Sequence, residues 1–359
     1  MILRRELSYS AGTSARRGLM GFSIICIMLC HSTLSFSGET GRHINEILQQ
    51  FFQFGVDIFF FLSGLGLFCA FTKNENLKVF YKKRFFRLVP AYLAVTAAGL
   101  IIRLIAYPDK LEKFIHEHNL LNFYTDNVLT VWFIAAIATL YLVFPLLYLL
   151  QKHSPKLFGV LFAASLIIPF SLSMMEHWDL FSVTWANGIF FVRIPVFLAG
   201  MMYAKSLHSG RTYRINLGAT LLILILSCTA FLFNLKYNNA NVWVVSRLLF
   251  GVIAVCMVFL LGTLFMKHNS SLPVRILNRL GAVTLNIYLV NEPILRRCED
   301  MLTPLLGGGF LSSLVINLTA AAVSIAAAFL MQYCFEKLKL PSPSWQPCPK
   351  LKDKNCAGL

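Results

Sequence analysis

FGVDIFFFLSGLGLFCAFT, residues 54–72, carries a single charged side chain, Asp57. A run of that length coils into about 28 Å of helix at roughly 1.5 Å per residue. That is close to the roughly 30 Å hydrocarbon core of a bilayer. Similar runs recur on both sides of it, near 19–36, 88–106, 129–150, 157–175, 187–204, 215–234, 243–266, 281–298 and 308–334. They predict an all-α integral membrane protein, a bundle of about ten transmembrane helices. The runs are too long and too continuously apolar for the alternating strands of a membrane barrel. Only 13% of the residues are charged, about half the share of a soluble domain, so much of the surface must face lipid.

The net charge of +16 would suggest nucleic acid as the partner of a soluble protein. Here the basic residues fall in short clusters between apolar runs, the pattern of the positive-inside rule, and no nucleic-acid partner is expected. With the N-terminus inside, 23 of the 32 Lys and Arg residues lie in segments on that side and 4 in loops on the other. The bias predicts a multi-pass protein with both termini cytoplasmic. Arg4, Arg5, Arg16 and Arg17 precede the first apolar run, as in a signal peptide. No small-residue cleavage site follows cleanly, so the run reads as a retained first helix. The chain divides into a transmembrane domain over 1–335 and a short, basic, Pro-rich cytoplasmic tail over 336–359.

Ionisable side chains at membrane depth are costly and are functional by default. The expected topology puts His31 roughly 18 Å along helix one, just past the midplane. Asp57 falls in the outer turn of helix two and Trp132 near the outer end of helix four. Arg193 and Arg247 enter from the outer face, and Asn291 and Glu292 lie in the outer half of helix nine. Singly, each has a plainer reading as an interhelical hydrogen bond, a snorkelling side chain or an interfacial aromatic. Their common depth points instead to a polar cavity open to the outside. No metal-ligand spacing appears, and no bound cofactor is expected.

A second constellation lies on the inner side. KVFYKKRFFRLVP, residues 78–90, is basic and aromatic. Arg84 and Arg87 are three apart and share a helical face. The segment suits an anchor on the anionic head groups of membrane lipids. It suits equally a phosphate site, because guanidinium pairs bind phosphate oxygens in bidentate fashion.

Several ordered segments resemble the acyltransferase type 3 family of bacterial membrane proteins. GVDIFFFLSG (55–64) is similar to its second-helix signature, and KRFFRLVPAY (83–92) to its Arg-x-x-Arg segment followed by Pro. Trp132 and Phe133, then Tyr141 and Pro145, fit its fourth-helix pattern. RIPVFLAG (193–200) and LGAVTLNIYLVNEPI (280–294) fit two later segments. The resemblance implies transfer of an acyl group, typically acetyl, from acyl-CoA to a hydroxyl of a carbohydrate. The donor substrate would be cytoplasmic, and the protein would sit in the bacterial cytoplasmic (inner) membrane. Acceptors of this kind are surface polysaccharides of the cell envelope, lipid-linked sugars or peptidoglycan. His31 matches the family's first-helix His. As a neutral imidazole near pH 7 it suits the general base that a weakly nucleophilic sugar hydroxyl needs. Asp57 would fix its tautomer, and Arg84 and Arg87 would hold the CoA phosphates.

Two positions depart from the family. Met20 stands eleven residues before His31, where the family carries Arg, and Asn291 stands where it often has His. Arg17, fourteen residues before His31, lies within about 40° of the same helical face and would supply the missing charge. On the residues alone, a glycan or lipid transporter or flippase, a polymerase or ligase of lipid-linked sugars, and a catalytically inactive relative also stay open. Only an acyltransferase should bind or cleave an acyl-CoA thioester.

Overall fold

The computed structural model describes residues 5–7, 15–36, 38–126, 128–174, 184–209, 213–234 and 240–338. The expected tail lies outside the described residues beyond Leu338. The fold is an all-α multi-pass membrane bundle. The first helix, α1 (Arg16–Cys30), is followed by α2 (Gly38–Phe51), α3 (Phe54–Lys73) and α4 (Leu77–Ala106). A short 3-10 turn leads to α5 (Leu111–Glu117) and α6 (Asn122–Thr125), then to α7 (Trp132–His153) and α8 (Pro155–Met174). Next come α9 (Thr184–Phe191), α10 (Ile194–His208), α11 (Leu217–Asn234) and α12 (Ala240–Lys267). The chain closes with α13 (Leu272–Ala282), α14 (Thr284–Leu306) and α15 (Phe310–Lys337). An antiparallel ribbon of β1 (Arg5–Leu7) and β2 (Tyr213–Ile215) sets Glu6 opposite Arg214.

Among the described residues seven helices are long and apolar enough to cross a bilayer, against the ten runs read from the sequence. The other three runs become α1, α8 and α14. At 15 residues, α1 spans only about 22 Å, because the polar segment after His31 ends it. Helix α8 is 20 residues long, and its described apolar part covers Pro155–Ser171. Glu292, Arg296, Arg297, Glu299 and Asp300 break the apolar character of α14. Prolines inside α4, α7, α8 and α14 are tolerated because neighbouring helices can satisfy the freed backbone groups.

Glycine sets how closely the helices approach. A Cβ on Gly64 of α3 would lie 2.1 Å from the Phe197 carbonyl oxygen of α10. A Cβ on Gly200 of α10 would meet the Phe61 oxygen at the same distance. The two helices therefore touch backbone to backbone, the small-residue contact that stands in for hydrophobic driving force inside lipid. Gly21 of α1 and Gly281 of α13 make a second such seam, 2.0 and 1.9 Å from the oxygens of Leu277 and Arg17. Phe54, Phe60, Phe61, Phe144 and Phe197 fill the core, whereas Ile101, Ile105, Leu146 and Ile225 are exposed on helix faces, where hydrocarbon covers them.

The bundle thus has two distinct ends. The basic end gathers the start of α1, the end of α3, the start of α4 and the ends of α7, α10 and α12. Across it Glu75 accepts hydrogen bonds from Lys152 Nζ (2.8 and 2.9 Å) and from the Tyr148 hydroxyl (2.8 Å). These bonds hold the Glu75 carboxyl below the usual carboxylate range. The far end carries the last turn of α1, the first turns of α3, α7, α10 and α12, and the middle of α14.

Candidate functional site

At the basic end three arginines converge. Arg16, the first residue of α1, is 8% exposed and turns into the bundle. Its Nη2 donates to the Leu62 carbonyl of α3 at 2.5 Å. The seat exists because residue 66 is glycine: a Cβ there would lie 1.9 Å from Arg16 Nη1. Arg84 and Arg87 of α4, with Tyr141 of α7, are the groups whose fields reach Arg16. The Arg84 guanidinium sits 5.5 Å from the Phe80 ring and 5.8 Å from that of Tyr141, held by cation–π attraction. Guanidinium groups can bind phosphate oxygens in bidentate fashion. The expected pair Arg84 and Arg87 is thus joined by Arg16. Arg17 is not part of the cluster: its side chain is exposed, and α13 packs on its backbone oxygen.

The far end holds a second group of ionisable side chains. Asp57, in the first turn of α3, is 1% exposed, and Arg193, capping α10, is 2% exposed. They form an ion pair, Nε to Oδ1, at 3.8 Å. Arg193 also donates from Nη1 to the Ile189 carbonyl at 2.6 Å and lies 5.0 Å from the Trp132 ring. Trp132 in turn stacks on Phe60, with centroids 6.4 Å apart. Half-buried Arg247 of α12 donates from Nη1 to Gln53 Oε1 and lies 5.4 Å from the Phe250 ring. Its field reaches Arg193, Asp57 and Cys30. The fields of Glu292 and Arg193 reach Tyr288 of α14, which packs on Phe133 at 4.8 Å.

His31 follows the last residue of α1 and is exposed. The charged groups acting on it are Glu292 and Arg296 of α14, themselves bonded at 2.5 Å. Asp57 is paired with Arg193 and not with His31, and Glu292 is the carboxylate whose field reaches the histidine. Asn291, next to Glu292, is buried. Asp57, Trp132, Arg193 and Arg247 lie in one neighbourhood at the far end, with His31 and Glu292 at the same end. Gln53, Cys30 and Tyr288 join them. A neutral amide, a thiol and a phenol carry no charge to flag them in an apolar run.

Basic side chains thus gather toward one end of the bundle, and the buried Asp57–Arg193 ion pair lies toward the other. The family model for the acyltransferase domain matches residues 18–333, and the chain belongs to the acyltransferase 3 family. The resemblance read in the separate segments thus extends from α1 through most of α15. Membership implies acyl transfer from a donor to an acceptor. No curated protein and no solved structure matches the chain.

Proposed function

We propose that this protein is an O-acyltransferase of the bacterial cytoplasmic membrane. It moves an acyl group, most simply acetyl, from cytoplasmic acyl-CoA to a hydroxyl of a surface polysaccharide or lipid-linked sugar. One observation carries the reading: Arg16 and His31 mark the two ends of α1, about 22 Å apart along its axis. The first belongs to a cluster of three arginines, and the second lies at the end that holds the other group of ionisable side chains. In this reading Arg16, Arg84 and Arg87 hold the CoA phosphates and the pantetheine arm runs along α1. The thioester carbonyl then arrives near His31.

His31 takes the proton of the acceptor hydroxyl as the oxygen attacks that carbonyl. The C–O ester bond forms, the C–S bond breaks, and the proton passes to the departing CoA thiolate. Glu292 orients the imidazole, and Asp57 acts through Arg193 as a positioning residue. Trp132, Arg193, Arg247, Asn291 and Glu292 serve the acceptor side. The transferase domain covers 1–335, with 336–359 as a cytoplasmic tail.

The test is vectorial. In proteoliposomes, labelled acetyl-CoA supplied at the basic end should label a glycan supplied only at the far end. Passage of unmodified glycan without label would replace the transferase with a transporter. Orientation has its own check. The 23-to-4 basic bias assigns the basic end to the cytoplasm. Reporters fused at Lys205 and at the C-terminus should therefore read inside, and one at Asn119 outside. A C-terminal reporter reading outside would overturn both the orientation and the route of the donor.

A further inference from the structure

We infer that Asn317 of α15 is a positioning residue for His31: it ties down the segment that follows the histidine and so fixes where the imidazole stands. The inference rests on the transferase reading and adds to it a residue of the last span.

Helix α1 ends at Cys30, and residues 32–36 belong to neither helix nor strand. Their backbone N–H groups still need acceptors, the more so at the edge of a bilayer. The first is met locally, where the Ser32 N–H donates to the Leu29 carbonyl at 3.2 Å. Two others are met by one face of α15. The Thr33 N–H donates to Asn317 Oδ1 at 3.2 Å, and the Ser35 N–H donates to Ser313 Oγ at 2.9 Å. Ser313 and Asn317 are four apart, so they stand one above the other on the helix. Asn317 is itself held, because its Nδ2 donates to the Ser313 carbonyl at 2.8 Å. That bond fixes the amide plane with Oδ1 turned to Thr33. Phe36 closes the segment by stacking on Phe310 of α15, with centroids 4.9 Å apart.

The same helix supports the carboxylate at this end. Beside the Asn317 face, Ile316 and Ala320 of α15 pack with Leu295 of α14. Leu295 lies one turn beyond Glu292, whose field reaches His31. Helix α15 therefore braces both groups, the chain after the histidine through Asn317 and the helix bearing Glu292 through Ile316. Among the described residues no hydrogen bond holds the imidazole ring itself. Its placement falls to the backbone on either side, to α1 before it and to the Asn317 tether after it.

The test is Asn317→Leu in the purified protein in nanodiscs. Leucine is favoured in a bilayer, so insertion should hold and the melting temperature should move by only a few degrees. With acetyl-CoA and a glycan acceptor, kcat should fall by roughly tenfold to hundredfold, the scale of loss from a misplacement of about 1 Å. KM for acetyl-CoA should stay unchanged, since the arginine cluster lies at the opposite end of α1. Asn317→Gln, which keeps the amide on a longer arm, should recover part of the rate. Ser313→Ala removes the neighbouring acceptor and should give a smaller fall of the same kind, which carries the test if Asn317→Leu does not insert. Hydrogen exchange over residues 32–36 reads the tether without any activity, and it should be slow in the wild-type protein and faster in Asn317→Leu. Fast exchange in the wild-type protein, or normal kcat in Asn317→Leu, overturns the inference and leaves the transferase reading standing. A fall in kcat that comes with a raised KM and a large loss of melting temperature also overturns it, by assigning Asn317 to packing alone. Exchange that quickens in Asn317→Leu, in a protein whose wild type transfers no acetyl group, would keep the tether and sink the transferase.

Discussion

His31→Ala should lower acyl transfer by about two to four orders of magnitude, the usual loss when a general base is removed. The protein should still insert and fold, because His31 is exposed and follows the last residue of α1. Its backbone N–H closes the helix on Ile27 at 3.1 Å, a bond that alanine keeps. Donor binding should also persist, since the arginine cluster lies at the opposite end of the helix. The readout is initial rate of acceptor labelling at saturating acetyl-CoA, with donor affinity measured separately.

Two carboxylate variants locate the partner of the base. Glu292→Gln should cost less rate than His31→Ala, because it removes an orienting charge and leaves the imidazole in place. Asp57→Asn should act differently, by leaving buried Arg193 without its carboxylate. Breaking a buried pair from one side destabilises by about 3–5 kcal/mol, so its signature is a loss of folded protein. Near-normal transfer by His31→Ala would end its assignment as the base.

The sequence made some of this plain and hid the rest for identifiable reasons. Length and hydropathy suffice for α3, α4, α7, α10, α11, α12 and α15, because lipid demands a long apolar helix and little else looks like one. They overstate α1, which ends at Cys30 where the mostly polar segment HSTLSFS (31–37) begins. They miss α2 and α13, which are amphipathic segments lying where loops are expected. Depth was legible too, since alternation of the spans puts Asp57, Trp132, Arg193 and Arg247 at one level without any contact being known. Pairing was not. At a given depth His31 has Asp57 and Glu292 as possible carboxylates, and the choice depends on which helices adjoin. The backbone contact at Gly64 and Gly200 brings α10 against α3 and joins Arg193 to Asp57, while α14 runs beside α1 and brings Glu292 to His31. Glycine in an apolar run announces close approach without naming the partner, and that unnamed partner decides the electrostatics.

Arg16→Ala should weaken acyl-CoA binding by roughly tenfold to hundredfold, the worth of a charge-assisted hydrogen bond to phosphate, whereas Arg17→Ala should leave it close to wild type. Helical geometry alone cannot separate the two. Counting back from His31, Arg17 lies about 40° off the shared face and Arg16 about 60° off on the other side. Each is long enough to swing inward, and the neighbouring helices decide between them. Gly66 of α3 leaves an open seat for the Arg16 guanidinium, and the Leu62 carbonyl anchors it at 2.5 Å. Gly281 lets α13 press against the Arg17 backbone, and the Arg17 side chain stays exposed. On this expectation the arginine absent at Met20 is replaced from one turn nearer the basic end. Met20 itself is 3% exposed, as part of the apolar core.

Gly66→Ala provides an independent probe, since it fills the seat without touching any charge. It should displace the Arg16 guanidinium and weaken donor binding, by less than Arg16→Ala does. Because Arg16 also ties α1 to α3, thermal stability must be followed alongside affinity. Arg16→Lys separates the two roles: it keeps a cation for phosphate but loses the planar fork, and it should bind donor better than Arg16→Ala. If Arg17→Ala proves the damaging change and Arg16→Ala only lowers the melting temperature, the donor phosphates lie on the outer surface of α1 and not within the bundle. The path of the pantetheine arm toward His31 would then have to be abandoned.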